Sequence, residues 1–397
     1  MSNIAADVDA WITENWDTSL TLREWWRRLA AAGYSQPTWP VGIGGCNADG
    51  ATARTISESM GARGVIAAPT GMGPHMAAPM IMKHGTDEHK AELIKIATGE
   101  QHWCQLFSEP EAGSDLASVR CSAVRDGEEY IVNGQKVWNS GADAADHGLL
   151  LARTDFTAQK HAGVSFLLID MLQPGVEVRP LVTMNGSAHF CEVFLTDARA
   201  RATDLIGSEG GGWAVATTVL GLERKMAASG SARGALTVTA GPKSGNLDRT
   251  VGELFEMARE KAKEKPQAMI NSSRVLIKEA QKSGVNHDPV MRDDLARYHI
   301  RSEVYRLTNL RARHTGGSGP EASIAKIALS GMARHSRDLG MRIAGAGGML
   351  VGNDAVSGGA LQYAALSTAG VSIGGGTDEI QHNVIGERAL GLPKEPS

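Results

Sequence analysis

The order in which local textures follow one another restricts this chain most: residues 103 to 212 read as β structure between two helical stretches. On the N-terminal side, Trp25, Trp26 and Leu29 are spaced for one helix face, and Glu88 to Ile96 opens on acidic residues after Gly85 and Thr86. From Trp103 onward come short β-favouring runs, Glu129-Tyr-Ile-Val132, Val164-Ser-Phe-Leu-Leu-Ile169 and Phe190-Cys-Glu-Val-Phe-Leu195, set apart by Asp126-Gly127, Asn133-Gly134 and Pro174-Gly175. After Trp213 helical spacing returns, and Asp288-Pro289 caps a helix with Met291, Leu295 and Tyr298 on one face. With 397 residues the chain exceeds one compact core. The pattern predicts an α+β multidomain protein: helical domain 1–102, β domain 103–212, and helical domain 213–397 with a charged insertion near 241–272. That insertion reads as a loop plus an exposed helix.

A net charge of −4 lacks the basic excess that nucleic-acid or anionic-membrane binding requires. Cys46, Cys104, Cys121 and Cys191 form no CxxC pair, so neither a disulfide framework nor a zinc site is expected, and a reducing, cytoplasmic setting fits. No run of about 18 apolar residues suggests a membrane span, and no basic segment followed by an apolar core suggests secretion. The dinucleotide fingerprint GxGxxG fails in three places, with Asn47, Leu350 and Glu379 where its third glycine belongs. GxxxxGK[ST] is absent as well, so Rossmann and P-loop enzymes are not expected.

Three segments stand out in register. They are Gln105-Leu-Phe-Ser-Glu-Pro-Glu-Ala-Gly-Ser-Asp115, Asn133-Gly-Gln-Lys-Val-Trp-Asn-Ser140 and Val371-Ser-Ile-Gly-Gly-Gly-Thr-Asp-Glu-Ile-Gln381. Together they resemble the acyl-CoA dehydrogenase family, whose signatures have the form TEPxAGSD, NGxKxWxTN and a C-terminal GTSxxQ-like segment. The resemblance covers nearly the whole chain. It implies an N-terminal helical domain, a β-barrel-like middle domain and a C-terminal four-helix bundle, with FAD held between the middle and C-terminal domains and completed by a neighbouring subunit. By position, Gln105, Phe107, Ser108, Gly113, Ser114, Trp138 and Ser140 correspond to flavin contacts, Trp138 lying beside the isoalloxazine. Gly347, Gly348, Gly376, Thr377 and Glu379 correspond to further FAD contacts, and Ser114 also to a coenzyme A contact. Met72 and Met76 would line the acyl pocket, where soft side chains suit an irregular group. The family's pyrophosphate-binding arginine is missing from Leu276 to Gly284, where Lys278 or Lys282 could replace it.

The α,β-dehydrogenation that the resemblance implies requires a base for a weakly acidic α-proton and stabilisation of the thioester oxygen. Family members often carry the base as a glutamate just before the C-terminal Gly-Thr, and that position is Gly375. A subset with isovaleryl- and long-chain-type enzymes places it on a helix after the β domain, immediately before an arginine. Glu223, before Arg224, matches that position and is the expected base. Arg224 is expected near the substrate, and Gly375 to donate its backbone N–H to the thioester oxygen. The expected reaction turns an acyl-CoA with a branched, long or bulky group into its trans-2-enoyl-CoA, electrons passing to an electron-transferring flavoprotein from a homotetramer or dimer of dimers. Two alternatives stay open: a catalytically silent, FAD-completing subunit of a mixed tetramer, and a flavin monooxygenase or oxidase on the same fold.

Overall fold

A computed structural model describes residues 3–229, 236–264, 272–314 and 320–394. They form two compact units, the first holding the N-terminal helices and the sheet up to Glu223 together with residues 236–263, the second holding chiefly the described residues from 264 to 394.

In the first unit, helices α1 (Ile4–Asn15), α2 (Leu22–Ala31) and α3 (Gly50–Arg63) are followed by a π-turn (Gly73–Ala77) that runs directly into α4 (Ala78–His84). The single helix expected over Glu88 to Ile96 is broken in two, α5 (Asp87–Ala91) and α6 (Leu93–Ala97). Glu92 caps the first at φ −81°, ψ −9°, and Thr86 supplies the N-cap. Helix α2 starts on a capping box between Thr21 and Glu24 and buries Trp25, Trp26 and Leu29, the face that its spacing predicts. Each side chain of this size contributes about 1.5–3 kcal/mol on burial.

The sheet has seven strands among the described residues: β1 (Trp103–Leu106), β2 (Ser122–Asp126), β3 (Glu129–Lys136), β4 (His147–Arg153), β5 (Val164–Asp170), β6 (Val176–Leu181) and β7 (Phe190–Arg201). Their order is β1-β4-β2-β3-β7-β6, with β5 also on β4. Strands β2–β3, β3–β7, β6–β7 and β4–β5 pair antiparallel, whereas β1 runs parallel to β4. Inward residues such as Leu106, Tyr130, Val132, Leu150, Leu167 and Val193 fill one core. Helix α7 (Gly212–Ser229) leaves the sheet through a contact that only glycine permits, since a Cβ at Gly212 would lie 2.5 Å from the Ser165 carbonyl carbon.

The stretch read as a charged insertion of the C-terminal part packs with the N-terminal helices instead. Ala240, Leu247, Val251 and Leu254, the last two on α8 (Val251–Glu264), join Trp25, Trp26, Ile56 and Ile66 in one core, and Thr250 bridges to Thr21. Glu253, Glu256, Arg259 and Glu260 lie on the outer, exposed face of this amphipathic helix. Residues 265–271 of that stretch lie outside the described residues.

In the second unit, α9 (Ser273–Ser283), α10 (Pro289–His314), α11 (Glu321–Ala344) and α12 (Ala360–Ile373) pack around Leu276, Met291, Leu295, Tyr298, Leu339, Ile343 and Leu361, and the short α13 (Asp378–Val384) lies against α11. Asp288 caps α10 through the Val290 N–H at 3.0 Å, and Met291, Leu295 and Tyr298 are buried as their spacing predicts. No described helix is long and apolar enough to cross a membrane.

Candidate active site

In the first unit the candidate residues gather where β1 and β3 end. Ser108 accepts a hydrogen bond on its carbonyl from the Val137 N–H at 2.9 Å. The Gln105 carbonyl accepts from Asn139 Nδ2 at 2.7 Å, and Asn139 also pairs with Cys191 through both backbone groups at 3.1 Å. Between these two anchors sits Trp138, at φ +66° and 55% exposed, its indole edge-on to Phe190 at 5.6 Å. A bulky residue in the left-handed region costs on the order of 1–3 kcal/mol and persists only when its surroundings over-determine it. Here the flanking Val137 and Asn139 bonds do so. An exposed indole gains little from packing in return, so the strained presentation is that of a binding surface.

The fixed geometry rests on residues that sequence reasoning did not single out. Lys136 is fully buried, and its Nζ donates to the Phe107 carbonyl at 3.0 Å, the Leu151 carbonyl at 2.7 Å and Glu109 Oε1 at 2.8 Å. Glu109 in turn accepts from the Arg120 and Cys121 N–H groups at 2.6 and 2.9 Å. One ammonium thus ties the end of β1 to β4 and, through Glu109, to the start of β2. The sequence did carry a signal. Tyr130, Val132 and Lys136 fall at inward positions of β3, and a lysine pointing into a core needs a partner.

Phe107 is buried edge-on against Phe166 at 5.7 Å, and Ser108, Gln105 and Ser140 are half-buried. Gly113 and Ser114 are exposed on the turn that follows. No side-chain hydrogen bond of Ser108, Ser114 or Ser140 occurs among the described residues, which leaves three hydroxyls for a ligand.

Glu223 continues the buried stripe of α7 made by Val215 and Val219, one turn apart, and is itself half-buried, as is Arg224. His84 Nε2 lies 2.9 Å from Thr218 Oγ1 and links α4 to the same helix. Met76 is fully buried on the π-turn and Met72 half-buried just before it.

In the second unit the three glycines form a rigid loop. Gly375 and Gly376 take φ +69° and +88°, a conformation that favours glycine. A Cβ at Gly376 would lie 2.6 Å from Gln381 Nε2, which donates to the Gly375 carbonyl at 2.8 Å. With its carbonyl so held, the Gly375 N–H has no acceptor among the described residues. Thr377 caps α13 by accepting from the Ile380 N–H at 3.3 Å, and Glu379 is exposed. Asp378 is fixed between Lys326 Nζ and an Arg334 guanidinium nitrogen, both at 2.8 Å. Burial alone would raise its pKa, but the Lys326 and Arg334 hydrogen bonds outweigh it and hold the carboxyl at about 2. The same two cations donate to the Ser372 carbonyl and hydroxyl at 2.9 and 2.7 Å, so they brace the loop from both sides.

Gly347 and Gly348 have internal reasons to be small, because a Cβ would meet Val356 at 2.9 Å and Met341 at 2.7 Å respectively. The Gln362 amide donates to the Gly347 carbonyl at 3.1 Å. Of the two lysines that could replace the missing arginine, Lys282 binds Glu279 at 2.7 Å.

Profiles of the acyl-CoA dehydrogenase N-terminal, middle and C-terminal domains match residues 2–100, 104–198 and 267–390. The acyl-CoA dehydrogenase IpdE1 of Mycobacterium tuberculosis is 32% identical over 377 residues, covering 94% of this chain and 88% of that one. FadE34 of the same organism is 34% identical over 372 residues, 92% of this chain and 46% of its own length. The solved ChsE4-ChsE5 complex from M. tuberculosis matches with a TM-score of 0.68 at 25% identity, covering 99% of this chain and 97% of that one. The solved steroid ACAD Tcur3481-Tcur3483 has the same fold, with a TM-score of 0.69 at 24% identity over 98% of this chain and 97% of that one. A three-domain helix–sheet–helix frame with the three signature segments at strand and helix ends defines a flavoenzyme that oxidises carbon–carbon single bonds. The chain belongs to the acyl-CoA dehydrogenase family. Members bind FAD, and the pinned, exposed Trp138 with the hydroxyls of Ser108 and Ser140 fits an isoalloxazine ring and its polar edge.

Proposed function

We propose that this chain dehydrogenates the α,β bond of an acyl-CoA with a branched, long or bulky acyl group, giving the trans-2-enoyl-CoA, with Glu223 as the base. The observation that carries this reading is the division of roles between two positions. Glu223 lies half-buried on the buried stripe of α7, at the position where the resemblance puts the base, while the loop at Gly375 has no side chain and a left-handed backbone. Bound FAD supplies the hydride acceptor. Glu223 takes the α-proton, the Gly375 N–H donates to the thioester oxygen, and Arg224 helps to hold the substrate. Trp138, Phe107, Gln105, Gly113, Ser108, Ser114 and Ser140 position the flavin, with Ser114 also toward coenzyme A. Gly347, Gly348, Gly376, Thr377 and Glu379 hold the rest of FAD.

A missing side chain at Gly375 leaves room for a wide acyl group, and the steroid enzyme among the structural neighbours agrees with that. Electrons would leave through an electron-transferring flavoprotein in the cytoplasm. Ile300, Val304 and Leu307 form an exposed apolar stripe on α10, which supports burial against another subunit. The neighbour ChsE4-ChsE5 is a complex of two different chains, which supports a mixed tetramer beside the homotetramer.

Glu223→Gln is the direct test. The variant should retain FAD and lose its anaerobic reduction by acyl-CoA by about a thousandfold or more. Bleaching at the parental rate would remove Glu223 from the mechanism.

A further inference from the structure

Among the described residues two cationic side chains are buried, Lys136 and Arg153. Lys136 has Glu109 as its counter-charge, whereas Arg153, on the last position of β4 and 8% exposed, forms no ion pair there. Its guanidinium is satisfied by backbone carbonyls instead. Nε donates to Val119 at 2.9 Å, and Nη2 donates to Ala117 at 2.6 Å and to Lys160 at 3.3 Å. Burying a charge without a partner charge is costly, and the rigid fork of arginine suits it to gather several acceptors at once. What this burial accomplishes is to fix separate stretches of backbone relative to one another.

Two of the three carbonyls belong to the short turn Leu116–Ser118 and its end at Val119, directly after Ser114 and Asp115 of the first signature segment. The end of such a turn leaves carbonyls without donors, and a guanidinium caps them. The third carbonyl belongs to the loop between β4 and β5. That loop returns to the same turn, because Lys160 Nζ binds the Asp115 carboxylate. It also reaches the start of α7, where the His161 ring lies edge-on to Trp213 with centroids 4.5 Å apart. Thr154, the neighbour of Arg153, shares a hydrogen bond with the Ser165 hydroxyl at 2.7 Å, and that hydroxyl accepts the Gly210 N–H at 2.9 Å just before α7. Only glycine fits at 163, since a Cβ would meet Arg153 Nη1 at 2.5 Å and the Asp155 carbonyl oxygen at 2.2 Å. Arg153 thus sits where the Ser114 turn and the approach to the Glu223 helix meet, all within the first unit.

We propose that Arg153 is a positioning residue, holding the turn of Ser114 in register with α7 so that coenzyme A and the α-proton of one bound thioester meet Ser114 and Glu223 together. This rests on the dehydrogenase reading above, which gives those two residues their roles. Arg153 acts only through the backbone it gathers. A misplacement of about 1 Å costs on the order of a hundredfold in rate, so an error of register is felt in the chemical step before it is felt in FAD retention. Lysine at 153 keeps the charge, but its compact ammonium lacks the fork that spans carbonyls of both segments.

The test is anaerobic stopped-flow bleaching of the FAD-loaded protein by saturating isovaleryl-CoA, dodecanoyl-CoA and cyclohexylacetyl-CoA, with rate constant and amplitude read separately. A variant that is merely less stable loses amplitude, the fraction of folded holoprotein, and keeps the rate constant. A misaligned site keeps amplitude and loses rate. Arg153→Lys should bleach with the full amplitude per bound FAD and a rate constant at least about tenfold below the wild type. An unchanged rate constant, with or without lost amplitude, overturns the proposal. Should Arg153→Lys fail to fold, His161→Ala decides, because it leaves the guanidinium and its three carbonyls in place and removes an exposed ring from Trp213. Its rate constant must fall at least about threefold at full amplitude, and a parental rate counts against the proposal. If none of the three thioesters bleaches the wild type, the dehydrogenase reading fails, and calorimetry with coenzyme A itself judges Arg153. Affinity at least about fivefold weaker in Arg153→Lys then supports its hold on the Ser114 turn, and equal affinity overturns it. A wild type that bleaches beside an Arg153→Lys that bleaches equally fast strikes this proposal alone.

Discussion

Lys136 Nζ lies 2.8 Å from Glu109 Oε1, with the lysine fully buried and the glutamate nearly so, and this pair holds together the strand ends that present Trp138. Removing one partner of such a pair leaves an uncompensated charge, a loss of about 3–5 kcal/mol. Lys136→Met should therefore lower the urea midpoint steeply and release FAD. Glu109→Gln, which keeps an acceptor for the Arg120 and Cys121 N–H groups, should fall between the methionine variant and the wild type. A midpoint for Lys136→Met within error of the parent would show that the ion pair does not organise these strand ends.

Trp138 separates stability from function. Its left-handed backbone stores strain of about 1–3 kcal/mol, and glycine at that position relieves it while adding flexibility worth about 0.5–1 kcal/mol to the unfolded chain. Trp138→Gly should consequently leave the melting temperature of the apoprotein unchanged or slightly raised. FAD affinity should drop at least about tenfold, as expected for a lost aromatic platform. Equal losses of apoprotein stability and flavin affinity would instead make Trp138 a packing residue.

Asp378 ties the glycine-rich loop to pH. Its carboxyl titrates near 2 in the folded chain, against an ordinary value of 3.8. The depressed pKa means that its contribution is complete above about pH 4 and disappears as the pH falls from there toward 2. A shift of this size corresponds to about 2 kcal/mol. Asp378→Asn should be less stable than the parent at pH 6, and the gap in urea midpoint should narrow to about half at pH 3 and close only toward pH 2. A gap independent of pH would mean that Lys326 and Arg334 are not electrostatic partners of this residue.

Gly376 tests whether the loop depends on its backbone. Alanine there must adopt φ +88° and place a Cβ against the Gln381 amide, which is held to the Gly375 carbonyl. A destabilisation of about 1–3 kcal/mol is expected. Pairing it with Gln381→Ala, which removes the obstructing amide, should recover part of that loss in a double-mutant cycle. Strictly additive effects would count against the contact.

Much of this architecture was legible in the sequence because periodicity reports burial directly. The Trp25, Trp26 and Leu29 face, the Met291, Leu295 and Tyr298 face and the three strand runs all occur where their spacing puts them. Helix α8 was harder, since its dense charge masks the apolar residues Val251 and Leu254, and only tertiary structure shows that their partners are Trp25 and Trp26. At the candidate site the exposed ring and the loop glycines were readable from their motifs. The groups that hold them, Glu109 with Lys136 and Asp378 with Lys326 and Arg334, come from distant segments, so no local pattern links them. The carbonyls that Arg153 gathers are likewise invisible in sequence, because a backbone acceptor leaves no residue pattern.

Gly375→Glu asks whether a carboxylate on this loop can serve as the base, as the family resemblance would place it. One cost is set by the structure. The residue at 375 has φ +69°, which costs a non-glycine residue about 1–2 kcal/mol, and its carbonyl must stay bonded to Gln381 if the loop is to hold its shape. A second cost follows from the proposed function, because a glutamate side chain would occupy volume available to a wide acyl group and would add a second carboxylate to the Glu223 site. With a short straight-chain acyl-CoA, the double variant Gly375→Glu, Glu223→Gln should therefore recover part of the flavin reduction lost in Glu223→Gln alone. With branched or ring-bearing thioesters it should remain inactive, and Gly375→Glu alone should lose at least about tenfold in kcat/KM on them. Recovery on bulky and short substrates alike would show that the missing side chain at 375 has nothing to do with the width of the acyl group.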